Sequence, residues 1–445
     1  MRRRDGTDKD NKLKDIVAIV LAAGRGTRMK SGIPKVLHNI FGKPIISYVL
    51  NSLKGAGITR IIIVAGYGSD GLRKAIDTEI VIQKRLLGSG DAVLTVKKIL
   101  GGYSGNVVVI CGDTPLVKSE TIRALILKHR SSGASATLAT ARLKDPSGYG
   151  RIVRGPSGAV VKIVEEVKAA SAEKVIDEVN AGTYCFRAKD LFAALKRVKL
   201  DLRKRELFLT DTIEILNGAG RAIESVTIAD VDEMIGINSR KDLAEATLIM
   251  KNDIMDEVML SGVTIEDPLT TTIYPDAKIG RDTIIHPNTF IGPGVEIGRY
   301  CRIGPFARLT ANVKIGRDVI VGNFVELIRT SIDDSCRVKH HTYLGDATLG
   351  KKVNIGAGTI TANYDGKNKN KTVIKDNAFI GVSSVLIAPL MVGKGATVGA
   401  GCVVLKGRNV PEGETVVGVP AKILEKRSGK ARRGSDEKRS IDIQR

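Results

Sequence analysis

The chain has 445 residues, more than a single hydrophobic core usually fills, so we expect two or three domains. Its composition, 43% hydrophobic and 27% charged, is typical of a globular protein, and no run of about 18 apolar residues is present to form a membrane-spanning helix. Five cysteines lie far apart without a C-x-x-C pair, which predicts reduced thiols and a cytoplasmic location.

The net charge of +22 would suit a nucleic-acid partner, but the distribution of the charge argues against one. Residues 1–14 carry six basic and three acidic side chains, and residues 426–445 carry eight and three, so these basic tails hold +3 and +5. No aromatic platform accompanies the remaining charge. We therefore expect small phosphorylated ligands, and neither nucleic acid nor membrane insertion. No apolar segment follows the basic start of the chain, which argues against a signal peptide.

Residues 15–238 alternate apolar runs with helical stretches, a pattern that predicts a doubly wound α/β domain. The predicted strands are DIVAIVLA, RIIIVAG, NVVVICGD and ASATLAT. Because ligands of open parallel sheets bind beyond the carboxyl ends of the strands, polar residues at those ends are candidate site residues.

The loop after the first strand, LAAGRGTRM, combines Gly24 and Gly26 with Arg25 and Arg28. Its spacing fits neither the dinucleotide fingerprint G-x-G-x-x-G nor the Walker A loop. The backbone N–H groups and the two arginines are suited to hold a phosphate. The alternative is an ordinary turn with surface arginines.

Two further loops extend this candidate site. LGSGDA, residues 87–92, offers small residues against which a base or a ribose can pack. CGDTPL places Asp113 at the tip of a buried strand, where it is either a turn residue or a metal ligand. The neighbouring phosphate loop favours the metal ligand.

The second half is predicted to be a repeat structure behind a linker helix. Residues 239–262 have apolar residues at helical spacing after a Ser239/Asp242 capping pair. Aliphatic residues then recur every six positions over 273–327 and again over 374–416. Three hexads make one triangular coil of a parallel β-helix. Between the two series the register slips twice by one residue, and the polar segment TANYDGKNKNK (361–371) has no hexad, so we expect this loop to bind ligand.

Short motifs occur along the chain in a distinctive order: LAAGRGTRM, PKVLH, GSGDA, CGDTPL, DPSGYGRI, IVEE, VNAG, LTD and GINSR, and then HTYLGDATLGKKVNIGAGTITANYDGKNKNKT. With these motifs, residues 15–425 resemble the bacterial bifunctional N-acetylglucosamine-1-phosphate uridyltransferases/glucosamine-1-phosphate N-acetyltransferases, the GlmU family. The first motif alone indicates only a sugar nucleotidyltransferase, whereas NIGAGTIT-x-NYDG on a β-helix is far more specific. The resemblance implies a Rossmann-like nucleotidyltransferase domain over 15–238, the linker helix over 239–262 and a left-handed β-helix acetyltransferase domain over 263–425.

The resemblance also implies two reactions of UDP-N-acetylglucosamine biosynthesis, a route that feeds peptidoglycan, lipopolysaccharide and cell wall formation. The first half would transfer UMP from UTP to N-acetylglucosamine 1-phosphate with Mg²⁺ and release pyrophosphate. The second half would acetylate glucosamine 1-phosphate from acetyl-CoA, in a homotrimer. The alternative is a sugar-1-phosphate nucleotidyltransferase whose β-helix only oligomerises the chain or acetylates a different amino sugar. A non-catalytic basic scaffold is a further alternative.

The resemblance assigns roles to individual residues of the first half. The implied nucleotide-binding residues are Leu21, Ala22, Ala23, Gly24, Arg28, Lys35, Gln83, Gly88 and Ser89. Among them, Gln83 would contact uracil, and Arg28 and Lys35 would contact phosphate. The implied sugar-binding residues are Gly150, Glu165, Asn180 and Asn238, and the implied Mg²⁺ ligands are Asp113 and Asn238.

In the second half the implied base of acetyl transfer is His340. Adjacent residues on a strand face opposite sides, so His340 and His341 cannot serve one site equally, and the family match selects His340. The residues implied to bind the acceptor are Tyr343, Asn354, Asn363 and Tyr364. Ala357 and Ala400 are implied to lie near acetyl-CoA.

Several positions depart from the family pattern. At the nucleotide end, Arg25 stands in place of Lys, Cys111 in place of Tyr and Asp91 in place of His, which loosens the identity of the sugar. In the acetyl half the replacements are Thr310 for Arg, Ile328 for Lys, Val382 for Ser and, approximately, Gly418 for Arg. Losing two cations predicts acceptor binding that is weaker by roughly a hundredfold or more. The nearby cations that are candidates to compensate are Arg308, Arg329 and Lys339.

Overall fold

The computed structural model describes residues 15–66 and 68–425, which divide between residues 251 and 252 into two compact units. The basic tails, 1–14 and 426–445, lie outside the described residues. Within the described ranges there is no helix with the length and apolarity that a membrane span requires. The first unit is an α/β domain around one sheet, and the second is a parallel β-helix.

The first unit alternates strands and helices along the chain. Its strands are β1 (Ile16–Ala22), β2 (Arg60–Ala65), β3 (Glu79–Ile82), β4 (Asn106–Cys111), β5 (Ala136–Arg142), β6 (Arg151–Arg154), β7 (Val160–Val164), β8 (Glu178–Arg187) and β9 (Ile223–Thr227). Its helices are α1 (Ile45–Gly55), α2 (Ser69–Ala75), α3 (Ser89–Leu100), α4 (Ser119–Ser132), α5 (Ser171–Lys174), α6 (Ala188–Leu195) and α7 (Asp211–Gly218). A small ribbon joins Asn39–Ile40 to Lys43–Pro44, and short 3₁₀ helices span Thr27–Met29, Lys35–Leu37 and Val231–Met234.

The sheet has the strand order β9-β5-β8-β4-β1-β2-β3, with the β6–β7 pair attached to β8. Strands β1, β2, β3 and β4 are parallel, as are β5 and β9. The structure differs from a purely parallel sheet at β8, which runs antiparallel to β4, β5 and β6.

Both faces of this sheet are buried, which explains the continuous apolar runs of the sequence. In β1, Ala18 and Val20 pack into one apolar cluster with α1 and α4, whereas Val17 and Ile19 pack into another with α3, α6 and α7. Alternate residues of a strand point to opposite faces, so a strand with helices on both sides must be apolar throughout. This arrangement confirms the predicted doubly wound α/β class.

One polar contact inside this core sets the protonation of a histidine. Buried His129 of α4 bonds through Nδ1 to Thr137 Oγ1 at 2.9 Å and through Nε2 to Asn106 Oδ1 at 3.2 Å. Because the Asn106 oxygen can only accept, Nε2 carries the proton and Nδ1 accepts from the threonine hydroxyl. Burial, with a smaller effect of Arg187, lowers the pKa of His129 to about 4, so the ring is neutral at neutral pH.

Helix α8 (Arg240–Leu260) crosses the division between the units. It begins after Ser239, whose N–H donates to Asp242 Oδ2 at 2.9 Å while the N–H of Asp242 donates to Ser239 Oγ at 3.3 Å. These are the reciprocal bonds of the predicted capping pair. The apolar side chains of its first half, such as Ala246, belong to a cluster of the first unit, and those of its second half, such as Met255, belong to the core of the β-helix.

The second unit is built from strands that pair in parallel, except for the last one, Lys422–Ile423, which runs antiparallel to Thr415–Val417. They are β10 (Thr264–Ile265), β11 (Thr272–Ile273), β12 (Lys278–Ile279), β13 (Ile284–Ile285), β14 (Phe290–Ile291), β15 (Glu296–Ile297), β16 (Arg302–Ile303), β17 (Arg308–Thr310), β18 (Lys314–Ile315), β19 (Ile320–Ile328), β20 (Ser331–Ile332), β21 (Arg337–Gly345), β22 (Ala347–Leu349), β23 (Asn354–Ile355), β24 (Ile360–Ala362), β25 (Thr372–Ile374), β26 (Phe379–Ile380), β27 (Val385–Ile387), β28 (Leu390–Val392), β29 (Thr397–Val398), β30 (Val403–Val404), β31 (Thr415–Val417) and β32 (Lys422–Ile423).

The hexads stack as the repeat predicts. Ile285, Ile303 and Val321 pair in register on successive coils, each three hexads from the next. Val321 then pairs with Val338, and Val338 with Ile355, so each of these two coils is one residue shorter than three hexads. These are the predicted register slips. The next partner of Ile355 is Ile380, which is further along the chain because this coil also holds the polar segment 361–371.

Glycine follows many of the aliphatic residues because the coils approach each other most closely there. Gly280 and Gly298 lie over each other on neighbouring coils, and a Cβ on Gly280 would lie 2.7 Å from the carbonyl carbon of Gly298. Any larger residue at this position would push the coils apart. The aliphatic side chains between these corners form one continuous buried core.

Candidate active site

A cavity of about 1040 Å³ opens at the carboxyl ends of β1, β2 and β4 in the first unit. Eight of the nine residues that the sequence assigns to the nucleotide line it, namely Leu21, Ala22, Ala23, Gly24, Lys35, Gln83, Gly88 and Ser89. The ninth, Arg28, is exposed on the 3₁₀ helix Thr27–Met29 and does not line this cavity, whereas Arg25 does. The structure therefore brings together three loops that are far apart in sequence.

The loop after β1 is shaped by one close approach. Gly26 has a φ of +60°, and a Cβ there would lie 2.9 Å from the Cβ of Lys35. By contrast, a Cβ on Gly24 would meet nothing within 4 Å. Gly26 is thus required by the fold of the loop, and the backbone around Gly24 faces open space where a ligand can approach.

The most strongly polar point of the cavity is formed by three residues. The Nζ of Lys35 forms a short ion pair with Asp113 and donates to Asn238 Oδ1 at 3.1 Å. Asn238 Nδ2 donates to the carbonyl of Gly236 at 3.1 Å, which turns the amide oxygen toward the cation. The N–H of Ile237 donates to the carbonyl of Asp113 at 2.9 Å and holds the two segments side by side.

This donor set fits a hard divalent cation. A carboxylate and an amide oxygen converge on one positive charge, the ammonium group of Lys35. Oxygen ligands of this kind suit Mg²⁺, which keeps waters and substrate oxygens in its remaining positions. The described residues contain no group of three or more His, Cys, Asp or Glu side chains that could hold a metal without such additional ligands.

Gln83 is a buried residue of the cavity wall that contacts the loop at Gly88. The residue is 4% exposed, and its Nε2 donates to Asp91 Oδ2 at 2.7 Å and to the carbonyl of Gly88 at 3.2 Å. Ser89 Oγ accepts from the N–H of Leu209 at 3.0 Å, which fixes the start of α3 against the chain before α7.

Three of the four residues assigned to the sugar lie together beside the sheet. A Cβ on Gly150 would lie 3.7 Å from both Asn180 Cβ and Glu165 Oε2. Glu165 accepts from Thr210 Oγ1 at 2.8 Å, and Asn180 Nδ2 donates to Tyr184 Oη at 2.6 Å. The fourth residue, Asn238, lies with Asp113 and Lys35 instead.

Sequence reasoning missed several residues around these sites. Thr210 and Tyr184 bond to sugar-site residues, and Glu206 and Phe208 line the cavity. The LTD motif, which includes Thr210, was the one signal near them.

Cys111 also lines the cavity, and burial, followed by the Asp113 charge, raises the pKa of its thiol to about 12. A neutral thiol of this kind is no nucleophile at neutral pH.

In the second unit, His340 lies on β21 beside Asn323 of β19. Its Nδ1 is 3.0 Å from Asn323 Oδ1. Because the amide oxygen can only accept, Nδ1 donates its proton and the lone pair of a neutral ring lies on Nε2. His341 has a φ of +43°, so it occupies a corner of the coil and the simple alternation of strand faces does not hold there. Both histidines are exposed.

The acceptor residues fall into separate groups. A Cβ on Gly345 would lie 2.6 Å from both Tyr343 Oη and Asn363 Nδ2, so these two side chains meet at one point. Tyr364 is 61% exposed and its hydroxyl donates to the carbonyl of Gly366 at 2.7 Å within the 361–371 loop. Elsewhere on the coils, Asn354 is the strand partner of Arg337. The carbonyl of Ala357 accepts a hydrogen bond from the backbone N–H of Ser383. The backbone of Ala400 lies against Gly381.

Thr310 and Ile328, which replace the two cations expected from the family pattern, lie in a single column of the β-helix. Thr310 pairs with Ile328, which pairs with Gly345 beside Tyr343 and Asn363. Of the candidates to compensate, Arg329 makes a two-bond ion pair with Asp346 at 2.7 and 2.9 Å, and Arg308 pairs with Glu326 at 3.3 Å. Lys339 is exposed on β21. Both arginines are therefore already engaged by acidic side chains.

Comparison with known proteins agrees with this arrangement of two units. The chain is 43% identical over 411 residues to the bifunctional protein GlmU of Pelotomaculum thermopropionicum, covering 84% of this chain and 90% of that protein. This chain belongs to the GlmU family. Its similarity to the bifunctional protein GlmU of Oceanobacillus iheyensis is 43% identity over 432 residues, covering 89% of this chain and 94% of that protein.

The family models match each half of this GlmU family member separately. Residues 18–212 match the MobA-like NTP transferase domain. Residues 276–311 and 294–329 match the bacterial transferase hexapeptide of six repeats. A solved structure of UDP-glucose pyrophosphorylase complexed with UDP-glucose covers 53% of this chain and aligns with 98% of its own, at 20% identity and a TM-score of 0.45.

Proposed function

We propose that this chain is a bifunctional enzyme of UDP-N-acetylglucosamine synthesis. The first unit transfers UMP from UTP to N-acetylglucosamine 1-phosphate and releases pyrophosphate, and the second acetylates glucosamine 1-phosphate from acetyl-CoA. The observation that carries the proposal is the match to GlmU proteins across both units, with at least 84% of the chain aligned in each relative cited above.

In the first reaction, a phosphate oxygen of the sugar phosphate attacks the α-phosphorus of UTP and pyrophosphate leaves. Such a transfer needs positioning and charge neutralisation rather than a nucleophile on the enzyme. The loop around Gly24 supports the phosphates, with Arg25 and Lys35 among the cations that line the cavity. Gly150, Glu165 and Asn180 hold the sugar, and Gln83 contacts uracil.

Asp113 and Asn238 are the residues that would hold Mg²⁺. Their oxygens already converge on a cation, the Lys35 ammonium group, which supports the assignment. Bound there, Mg²⁺ would neutralise charge on the phosphates of the nucleotide. With a cation held there, Asp113 would no longer pair with Lys35, and the lysine would be free to contact phosphate, which is the role that the family resemblance implies for it.

In the second reaction, the amine of the acceptor attacks the thioester carbonyl of acetyl-CoA and the CoA thiolate leaves. The nitrogen must lose a proton as the amide forms, and His340 takes it. The bond from Nδ1 to Asn323 supports this role because it leaves the Nε2 lone pair available as a general base. Tyr343, Asn354, Asn363 and Tyr364 bind the acceptor, and Ala357 and Ala400 lie near acetyl-CoA.

A second acceptor is favoured by one observation in this unit. The column of Thr310 and Ile328 carries no charge beside Tyr343 and Asn363, and Arg329 is held by Asp346. A phosphate there would lack the charge-assisted hydrogen bonds that normally bind it. An amino sugar without a phosphate is therefore the alternative acceptor.

We also propose that the chain works as a homotrimer in the cytoplasm. The parallel β-helix of hexapeptide repeats supports a trimer, because flat-faced coils of this kind resemble trimeric acyltransferases whose sites lie between subunits. The second unit exposes a stacked pair, Phe306 and Phe324, with ring centroids 5.2 Å apart and both rings about half exposed. The five cysteines are free and four are buried, as suits a reducing compartment.

Replacing Asp113 by Ala should abolish pyrophosphate release from UTP and the sugar phosphate, because the oxygen pair around the cation is lost. A pyrophosphate assay should show a fall of two or more orders of magnitude, a rough estimate for lost charge neutralisation. CoA release by the second unit should be unchanged, and a circular dichroism spectrum equal to that of wild type shows that the first unit of the variant is folded. Asp77→Ala, at an exposed aspartate, is the control; full activity in Asp113→Ala would contradict the metal assignment.

Replacing His340 by Ala should lower kcat for acetyl transfer by about 10²–10⁴-fold, with little change in the acceptor KM. The reason is that the general base is lost while the binding residues remain. The neighbouring exposed histidine gives the control variant His341→Ala, which should keep kcat within about twofold of wild type. CoA release is followed with a thiol reagent, and equal losses in both variants would remove His340 from its role.

Restoring the missing cations distinguishes the two acceptors. With glucosamine 1-phosphate, the double variant Thr310→Arg/Ile328→Lys should lower KM by roughly a hundredfold or more, since each of the two charged hydrogen bonds contributes about 1.5–3 kcal/mol. With unphosphorylated glucosamine, KM should not change. If wild type prefers glucosamine and the double variant gains nothing with the phosphate, the second acceptor is correct.

The trimer is tested by multi-angle light scattering of the purified chain at micromolar concentration. We expect a mass close to three times the 47.6 kDa of the monomer. The variant Phe306→Asp should shift the mass toward the monomer if the exposed phenylalanine pair lies in the interface, whereas Leu127→Asp, at an exposed residue of the first unit, should not. A monomeric mass for wild type would refute the proposal.

A further inference from the structure

The side-chain amide of Gln83 can adopt only one of its two orientations. Both groups that face its terminal nitrogen, the carboxylate of Asp91 at 2.7 Å and the carbonyl of Gly88 at 3.2 Å, are oxygen acceptors. If the nitrogen and oxygen of the amide exchanged places, its oxygen would face two other oxygens. The NH₂ group therefore points toward Asp91 and Gly88, and this follows from the chemistry of the partners.

Asp91 is the acidic one of these two partners. It lies in the first turn of α3, which spans twelve residues, and negative side chains are stabilised near the N-terminus of a helix. A hydrogen bond to an ionised acceptor is stronger than one to a neutral acceptor. Asp91 is thus the stronger of the two partners that hold the amide.

The consequence is that Gln83 offers the cavity an acceptor and no donor. Both N–H bonds of the amide are used by Asp91 and Gly88. In the part of the chain that the structure describes, Oε1 of Gln83 has no hydrogen-bond partner, and it is not among the fully enclosed polar atoms without one. Since Gln83 lines the cavity next to Gly88 and Ser89, this oxygen is the group available to a base.

We propose that Asp91 sets the base preference of the nucleotide site by holding the Gln83 carbonyl oxygen toward the base. This inference rests on the proposed function, in which Gln83 contacts uracil. Uracil carries an N–H at ring position 3, which the oxygen of Gln83 can accept. Cytosine carries an unprotonated nitrogen at the same position, and two acceptors facing each other repel.

Without Asp91 the amide would hold this orientation only through the weaker Gly88 bond. A Gln83 side chain that can turn would present its NH₂ group to cytosine as readily as its oxygen to uracil. Asp91 is therefore a positioning residue, since it acts on the nucleotide through Gln83. At position 91 the resemblance expects His, whose ring can donate as well as accept a hydrogen bond. The carboxylate of Asp91 can only accept, so the fixed orientation of the Gln83 amide is a property of this chain.

The test compares kcat/KM for UTP and CTP in pyrophosphate release by the full chain. Wild type should prefer UTP. In Asp91→Ala the ratio of the two kcat/KM values should fall by about tenfold or more, mainly through KM, because one charged hydrogen bond is lost. Asp91→Asn can still accept through its oxygen and should give an intermediate ratio. Asp70→Ala, at an exposed aspartate in the first turn of α2, should leave the ratio at its wild-type value.

A double-mutant cycle shows whether Asp91 acts through Gln83. Gln83→Ala should itself abolish the preference, and adding Asp91→Ala to it should change the ratio no further. Equilibrium binding of UTP and CTP, measured by calorimetry, gives the same comparison without turnover and applies to a variant with reduced activity.

Each outcome has one meaning. Equal losses with UTP and CTP in Asp91→Ala and Asp91→Asn would show a purely structural role and overturn the inference, as would additive effects in the cycle. A wild-type enzyme that uses both nucleotides equally would overturn it as well, while leaving the proposed nucleotidyl transfer intact. Absence of pyrophosphate release from either nucleotide would instead contradict the proposed function.

Discussion

One ammonium group held between two oxygens connects three distant parts of the first unit. Lys35 lies 78 residues before Asp113 and 203 residues before Asn238, yet its Nζ bonds to both. This contact requires β1 and β4 to lie side by side with their carboxyl ends at one edge, and it requires the chain to return there at Ile237. The loop around Gly24 and the cavity depend on the same edge, so the geometry of the nucleotide site is a consequence of strand order.

The second unit reaches its site by a different route. His340 and Asn323, Arg329 and Asp346, and Asn363 and Asp346 are each 17 residues apart, one coil of the β-helix. Neighbouring coils therefore supply the partners, and no long-range return of the chain is needed. A replacement at one position of a column, such as Ile328, changes the surroundings of residues directly above and below it.

The sequence predicted the framework of both units because periodicity reports burial. The hexads predicted the coils and both one-residue slips, and the apolar run of β1 predicted a strand covered on two faces. Strand β8 is not among the predicted strands, because polar residues and a glycine interrupt its sequence, EVNAGTYCFR, and its antiparallel direction came only from the structure. The resemblance supplied nine of the twenty residues that line the cavity, but their pairing came only from the structure.

Pairing is difficult to predict because it depends on side-chain direction as well as position. Nothing in the motif GSGDA indicates that Asp91 would meet Gln83, and nothing in PKVLH indicates that Lys35 would meet Asp113. Arg329 was a candidate cation for the acceptor, and its neighbour one coil away, Asp346, engages it instead. A one-dimensional pattern places such residues on an element, whereas their partners depend on the packing of elements distant in sequence.

The coil that holds residues 361–371 shows how the β-helix separates its frame from its variable parts. Ile355 and Ile380 are paired as directly as Ile285 and Ile303, although a longer stretch of chain lies between the first two partners. The extra residues leave the coil at a corner and return to the same corner, so the stacking of the core residues is unchanged. Closing a longer flexible loop costs only about 0.6 kcal/mol for each doubling of its length. Insertions, deletions or grafted segments at this corner can therefore change what the protein binds while its folding remains almost unaffected.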